Sequence, residues 1–126
     1  MTERRLISSG APWEPVFGYS RAVKVGNQVF VAGTVGRNAD GSVPAGAYGQ
    51  AKRALEIIGE ALAEAGATFD HVVRTRTFVT DIALFDDVAR AHGEVFRAIR
   101  PATSFVEVTR LIDAAYVLEI EADAVI

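Results

Sequence analysis

Only two stretches of this chain carry the apolar stripe of a helix, while five or six others alternate or run apolar as strands do, and that imbalance limits the folds open to it. From Gln50 to Ala65, apolar side chains recur at Ala51, Ala54, Leu55, Ile58, Ala61, Leu62 and Ala65, and Gly66 follows where a left-handed residue commonly ends a helix. Leu84, Val88, Ala91, Val95, Phe96 and Ile99 form the second stripe, which Pro101 stops. Before the first helix, residues 3–7 read as a short edge strand, and "SRAVKVGNQVFVAGTVG" reads as a hairpin turning at Gly26-Asn27. The turn-rich run "RNADGSVPAG" follows, with Asp40-Gly41 as its tip. "HVVRTRTFVT" is a β-branched strand between the helices, and Thr103–Val108 and Tyr116–Val125 close the chain as two more. Strands and helices mix without regular alternation, so the expected class is α+β: a mixed β-sheet with two helices packed on one face.

Two helices cover one face of such a sheet. Yet Val29-Phe30-Val31-Ala32 is apolar at consecutive positions, the pattern of a strand covered on both faces, and Phe105–Val108 reads similarly. The second face is therefore expected to meet another copy of the chain in a homo-oligomer. At 126 residues, half of them hydrophobic, the chain is expected to be a single domain over 1–126.

Several function classes are excluded. The net charge of −3 is spread along the chain and offers no basic stripe to a phosphate backbone, so no nucleic-acid partner is expected. With no cysteine, disulfides, thiolate metal sites and cysteine nucleophiles are ruled out. No stretch approaches a membrane span and the N-terminus has no apolar signal core, which makes a soluble cytoplasmic protein without membrane partners the expectation. His71 and His92 have no third ligand at metal spacing, and no metal is expected. Ser8, Ser9 and Ser104 lack a nucleophile motif, and the glycines of "GNQVFVAGTVG" do not lead into a helix as a phosphate loop does. Gly93 inside the second helix reads as a point of close helix packing.

Five segments together carry a resemblance: "GYSRAVKVGNQVFVAGTVG", "DHVVRTRTFVTDI", "FDDVARAHGEVF", "RPATSFVEVTRL" and "LEIEADAV". In order and spacing they resemble the RidA/YjgF superfamily over essentially the whole chain. That resemblance implies a chorismate-mutase-like α+β fold, a homotrimer with ligand clefts between subunits, and cofactor-free hydrolysis of reactive enamines and imines such as 2-aminoacrylate. The family's site tyrosine matches Tyr19, its glycine on the central strand Gly33, its backbone-contributing strand residue Phe105, and its carboxylate Glu119.

One match breaks. The arginine that grips the substrate carboxylate in the deaminases falls on Thr103, in "PATS" where they show Pro-Ala-Arg-Ser. A hydroxyl offers one donor and no charge where guanidinium offers a planar fork, so a small α-imino acid should bind poorly. Arg100 lies at an odd offset across Pro101 and would point the other way from Thr103. Arg76 has two roles open to it: a replacement for the missing arginine, or a cross-strand partner of Glu119, Glu121 or Asp123. Glu119 likewise is either a rung in that charged ladder with Arg74 and Arg76, or a cleft carboxylate whose pKa desolvation raises, suiting it to move protons. Phe17, where the family has Gly-Pro-Tyr, adds a ring beside Tyr19, and Phe105 enlarges a position that is often small, giving a more apolar cleft. Trp13 either lines that cleft or caps the core. The expected site is Glu119 and Tyr19 for catalysis, with Thr103, Phe105, Gly33, Phe17 and Arg76 for substrate binding. Two functions fit it: an enamine or imine deaminase whose substrate is not 2-aminoacrylate, with no cofactor, or a non-catalytic trimer that binds a small metabolite in the same clefts.

Overall fold

In the computed structural model, which describes residues 3–126, one six-stranded sheet carries both main helices on one face. Its elements in chain order are β1 (Arg4–Ile7), β2 (Ala22–Val25), β3 (Gln28–Thr34), α1 (Gly46–Glu64), β4 (Val72–Val79), α2 (Phe85–Phe96), β5 (Ala102–Glu107) and β6 (Leu118–Val125). Across the sheet the order is β1-β2-β3-β6-β4-β5. β4 and β5 run parallel because α2 carries the chain back between them, and the other neighbours are antiparallel. The mixed α+β class expected from the sequence is the one observed.

Alternation divides the two faces. On β6, Leu118, Ile120, Ala122 and Ala124 are buried beneath the helices, and Glu119, Glu121 and Asp123 project from the other side. Val29 and Val31 of β3 and Val79 of β4 join them against Ala51, Ala54, Leu55, Ile58 and Leu62 of α1 and Val88 of α2. Fully burying each of the larger side chains contributes about 1.5–3 kcal/mol. The expected double coverage of Val29–Ala32 is not met within one chain: Phe30 is 44% exposed, as are Leu6 and Val125 beside it on that open face to similar or greater degree.

Three boundaries differ from the sequence reading. α1 begins at Gly46, four residues before Gln50, because Gly46 takes a positive φ of 80° that turns the loop into the helix and lets Ala47 reach the core. α2 ends at Phe96, short of Ile99, and the chain is redirected at Arg100, whose φ of 58° is left-handed; the Pro101 ring disfavours helical backbone at the residue before it. β6 starts at Leu118, since Gln50 holds the preceding segment in place: its side chain accepts from the Val117 amide and donates to the Ala115 and Pro44 carbonyls. The hairpin is as expected, with Val25 opposite Gln28 and Gly26 at φ 60°. Gly93 is not a packing contact, for a Cβ there would meet only the end of Arg97 at 3.5 Å. Gly36 is one: a Cβ would come within 2.2 Å of the Gln50 carbonyl oxygen.

Candidate functional site

On the open face, the central strands bring opposite charges together. Arg76 of β4 lies opposite Glu121 of β6, and its Nη1 is 3.1 Å from Glu121 Oε1 and 3.5 Å from Asp123 Oδ2. Of the two roles open to Arg76, the structure thus supplies the cross-strand pair, with Glu121 and Asp123 as partners and not Glu119. Arg74, placed in the same ladder by the sequence, makes no ion pair among the described residues.

Glu119 stands apart from that ladder. Its carboxyl group occupies the space that Gly33 leaves by having no side chain: a Cβ on Gly33 would lie 2.8 Å from Glu119 Cδ. A register irregularity between Val31 and Thr34 breaks the β3 pairing with β6 at this point. Burial raises the Glu119 pKa above the ordinary carboxylate value; the Arg21 guanidinium opposes that rise and Glu121 adds to it. Arg21 donates through Nη2 to the Gly33 carbonyl, and its Nε is buried with no partner. Burial in turn lowers the Arg21 pKa, against the fields of Tyr19, Glu14 and Glu119. The result is a carboxyl and a guanidinium set around one backbone bulge, the first holding its proton more tightly than an ordinary carboxyl and the second placed to stabilise the anion it leaves.

Tyr19 follows a five-residue π-helical turn, Glu14–Gly18, that Glu14 anchors. The Glu14 carboxylate is only 7% exposed and accepts from the Ser9 amide at 3.0 Å and the Ser9 hydroxyl at 2.7 Å. Burial would raise its pKa, but these hydrogen bonds and those from Ser8 and Ala11 outweigh it and leave the pKa lowered. Beside the turn runs a trough of about 860 Å³, bordered by Leu6, Glu14, Tyr19, Phe30, Arg76 and Asp123 among others. Phe17 packs edge-on to Tyr19 at 6.0 Å but is 84% exposed. Trp13, at 66% exposed, neither lines the trough nor caps the core.

Thr103 and Phe105 lie elsewhere. Parallel pairing sets Thr103 beside Thr75 and Phe105 beside Thr77, both of which point into the helix-covered side. Thr103 Oγ1 is 2.7 Å from Thr75 Oγ1, and the Phe105 ring meets Phe85 edge-on at 5.0 Å. Within one chain the expected residues therefore form two groups on opposite faces: Tyr19, Gly33, Arg76 and Glu119 on the open one, Thr103 and Phe105 at the β5 edge. Within one chain Thr103 does not neighbour Tyr19 and Glu119, because a hydroxyl in register with Thr75 cannot point through the sheet; the expected site lies between subunits, where a second chain would have to supply it. Arg21 is not singled out by any motif; its one signal is the two-residue offset from Tyr19, which puts both on one side of an extended segment.

Comparison with known proteins supplies the rest. The family model described as Endoribonuclease L-PSP matches residues 9–126. A solved structure from Mycobacterium tuberculosis, described as a member of the highly conserved YjgF/YER057c/UK114 family, is 47% identical with a TM-score of 0.90, covering 98% of this chain and 100% of that one. The YjgF gene product of E. coli is 32% identical with a TM-score of 0.85, covering 96% and 98%. An uncharacterized protein of Streptomyces coelicolor is 39% identical across 95% of this chain and 90% of its own. The 2-iminobutanoate/2-iminopropanoate deaminase of Rattus norvegicus is 34% identical across 97% and 90%. A match over nearly the full length, in sequence and in fold, makes the chain a member of the RidA/YjgF family, the family whose model is described as Endoribonuclease L-PSP.

Proposed function

We propose that this protein hydrolyses an imine or enamine metabolite to a carbonyl compound and ammonia without a cofactor, and that its substrate is not held by an arginine clamp on an α-carboxylate. The observation that carries this reading is Glu119: a half-buried carboxyl, seated against Gly33, with its pKa raised by burial and a guanidinium beside it. Relatives named as 2-iminobutanoate/2-iminopropanoate deaminases support the reaction class. In the proposed reaction the protonated Glu119 gives its proton to the substrate, at nitrogen for an imine or at carbon for an enamine, and the carboxylate then takes a proton from the water that adds to the C=N carbon. The carbinolamine collapses to C=O as ammonia leaves, and Glu119 ends protonated as it began. Tyr19 orients the substrate, and Arg21 steadies Glu119 while it is ionised.

Thr103 decides what fits. Losing a hydrogen bond to a charged group forfeits roughly 1.5–3 kcal/mol, so without the arginine 2-iminopropanoate is a poor substrate and an imine without an adjacent carboxylate a better one. A second copy brings the two groups of site residues together: the apolar open face around Phe30 is what a homotrimer would cover, and the β5 edge of one copy is free to approach Tyr19 and Glu119 of the next. The test is ammonia release from imines formed in situ by an amine oxidase and by an amino-acid oxidase. Acceleration of the carboxylate-free imine, lost in Glu119→Gln, is the expected result. Equal activity of Glu119→Gln and the native chain would overturn the mechanism. Binding of the imine without turnover would favour the non-catalytic metabolite-binding trimer, which the uncharged Thr103 also suits.

A further inference from the structure

The hydroxyl of Thr103 is the outer end of a chain of three polar groups that starts inside the molecule. His92 of α2 places Nε2 2.9 Å from Thr75 Oγ1, and Thr75 Oγ1 is 2.7 Å from Thr103 Oγ1. Thr75 has no exposed surface, His92 is half-buried, and Thr103 is exposed. A threonine hydroxyl has one proton to give, so the direction of the first bond constrains the second. If Nε2 accepts from Thr75, then Thr75 can only accept from Thr103, and Thr103 shows its lone pairs to the outside. If Nε2 carries a proton and donates, Thr75 is free to donate to Thr103, whose own proton then turns outward.

We infer that His92 is a positioning residue that sets, through Thr75, whether Thr103 meets a ligand as a hydrogen-bond acceptor or as a donor. The groups facing the imidazole are Thr75 on β4, Thr103 on β5 behind it, and the Phe96 ring of its own helix at 4.6 Å. No charged side chain pairs with it among the described residues, and burial alone lowers its pKa. The imidazole is therefore neutral at physiological pH. Its Nδ1 is not among the buried polar atoms left without a partner, so water can accept from an Nδ1 proton while Nε2 accepts from Thr75. In that state Thr103 is an acceptor, matched to the N–H of an imine, iminium or amine and mismatched to a carboxylate. Protonation of His92 reverses the chain and turns Thr103 into a donor suited to an anion. The ligand preference rests on the reading that Thr103 borders the cleft; the internal chain of hydrogen bonds does not.

Nuclear magnetic resonance of the full-length protein, with histidine nitrogens and threonine methyls labelled, separates those two claims. At about pH 8 the neutral His92 should carry its proton on Nδ1, and on acidification from there the Thr103 methyl signal should follow the His92 titration, wherever burial sets its midpoint below the free value. In Thr75→Val, of nearly the same shape, His92 should still titrate while Thr103 no longer follows; Thr75→Ser, which restores the hydroxyl, should restore the coupling. A neutral His92 with its proton on Nε2, or a Thr103 signal that ignores His92 in the native chain, would overturn the relay. Ethylammonium and ethanesulfonate, whose charges do not change over this range, probe the ligand side. Their ratio of dissociation constants should move by about 10- to 100-fold toward the anion on acidification, the effect of one hydrogen bond to a charged ligand. The imidazolium charge acts through space in Thr75→Val as well, so the part of the change lost in that variant is the relay's. A ratio equally pH-dependent in Thr75→Val and the native chain, with the relay itself intact, would overturn the ligand half and remove Thr103 from the cleft without touching the role of Glu119.

Discussion

Gly33 and Glu119 show how one missing side chain prepares a carboxyl group. The Gly33 Cα approaches so closely that an added methyl would meet the Glu119 carboxyl carbon at 2.8 Å, yet what it meets is the free end of a side chain and not backbone. Gly33→Ala should therefore leave stability within about 1 kcal/mol of the native value while displacing the carboxyl, with an expected loss of about 10- to 100-fold in imine turnover. Thermal unfolding and the ammonia assay read the two effects separately. The pH dependence of stability gives a second check. Because the folded pKa of Glu119 is raised, the native chain binds more protons than the unfolded one between the ordinary carboxylate value and the folded value, so this group's contribution to stability falls as pH rises through that window. Glu119→Gln removes the dependence, and its melting temperature should rise relative to the native chain as the pH climbs above the ordinary carboxylate value. At this scale the sequence was readable only where a motif aligned: Glu119, Gly33 and Tyr19 stood out by position, whereas Arg21 and the partners of His92 depend on contacts between segments distant in the chain.

The elements followed their periodicities closely. Both stripes became helices and the Gly26-Asn27 turn became the hairpin, since each rests on local pattern. What the pattern does not hold is the parallel register of β4 with β5, and that register decides the face on which Thr103 lies. A strand alternating regularly can be placed either way up until its neighbour is known. The segment before β6 is likewise set by a distant residue. Gln50 alone satisfies the Val117 amide and the Ala115 carbonyl, 67 and 65 positions away. Gln50→Leu keeps the bulk and leaves those groups unpaired, and should cost on the order of 2–4 kcal/mol, read as a lower urea midpoint with unchanged slope.

For the molecule as a whole, the open face sets the expectation. Phe30, Leu6 and Val125 are more exposed there than a solitary soluble domain gains from, and a homotrimer is the assembly proposed to cover them. Light scattering at micromolar concentration should give three times the chain mass, and a monodisperse monomer would falsify the assembly. Phe30→Asp tests the face directly: the side chain is already 44% exposed in one chain, so the fold should persist by circular dichroism while the assembly comes apart.

β5 ends the sheet with a single hydrogen-bonded neighbour, and five of its six residues are exposed. An end strand of this kind is a template on which any extended peptide can lie down, including a half-finished copy of the same protein. It is short, Pro101 stands before it, Glu107 closes it, and Thr103 and Ser104 keep its middle polar. Those are the features of a strand guarded against promiscuous growth. Position 103 therefore lies on a stretch with little freedom to drift: greasier replacements there would threaten the lifetime of the protein in solution before they altered what it binds.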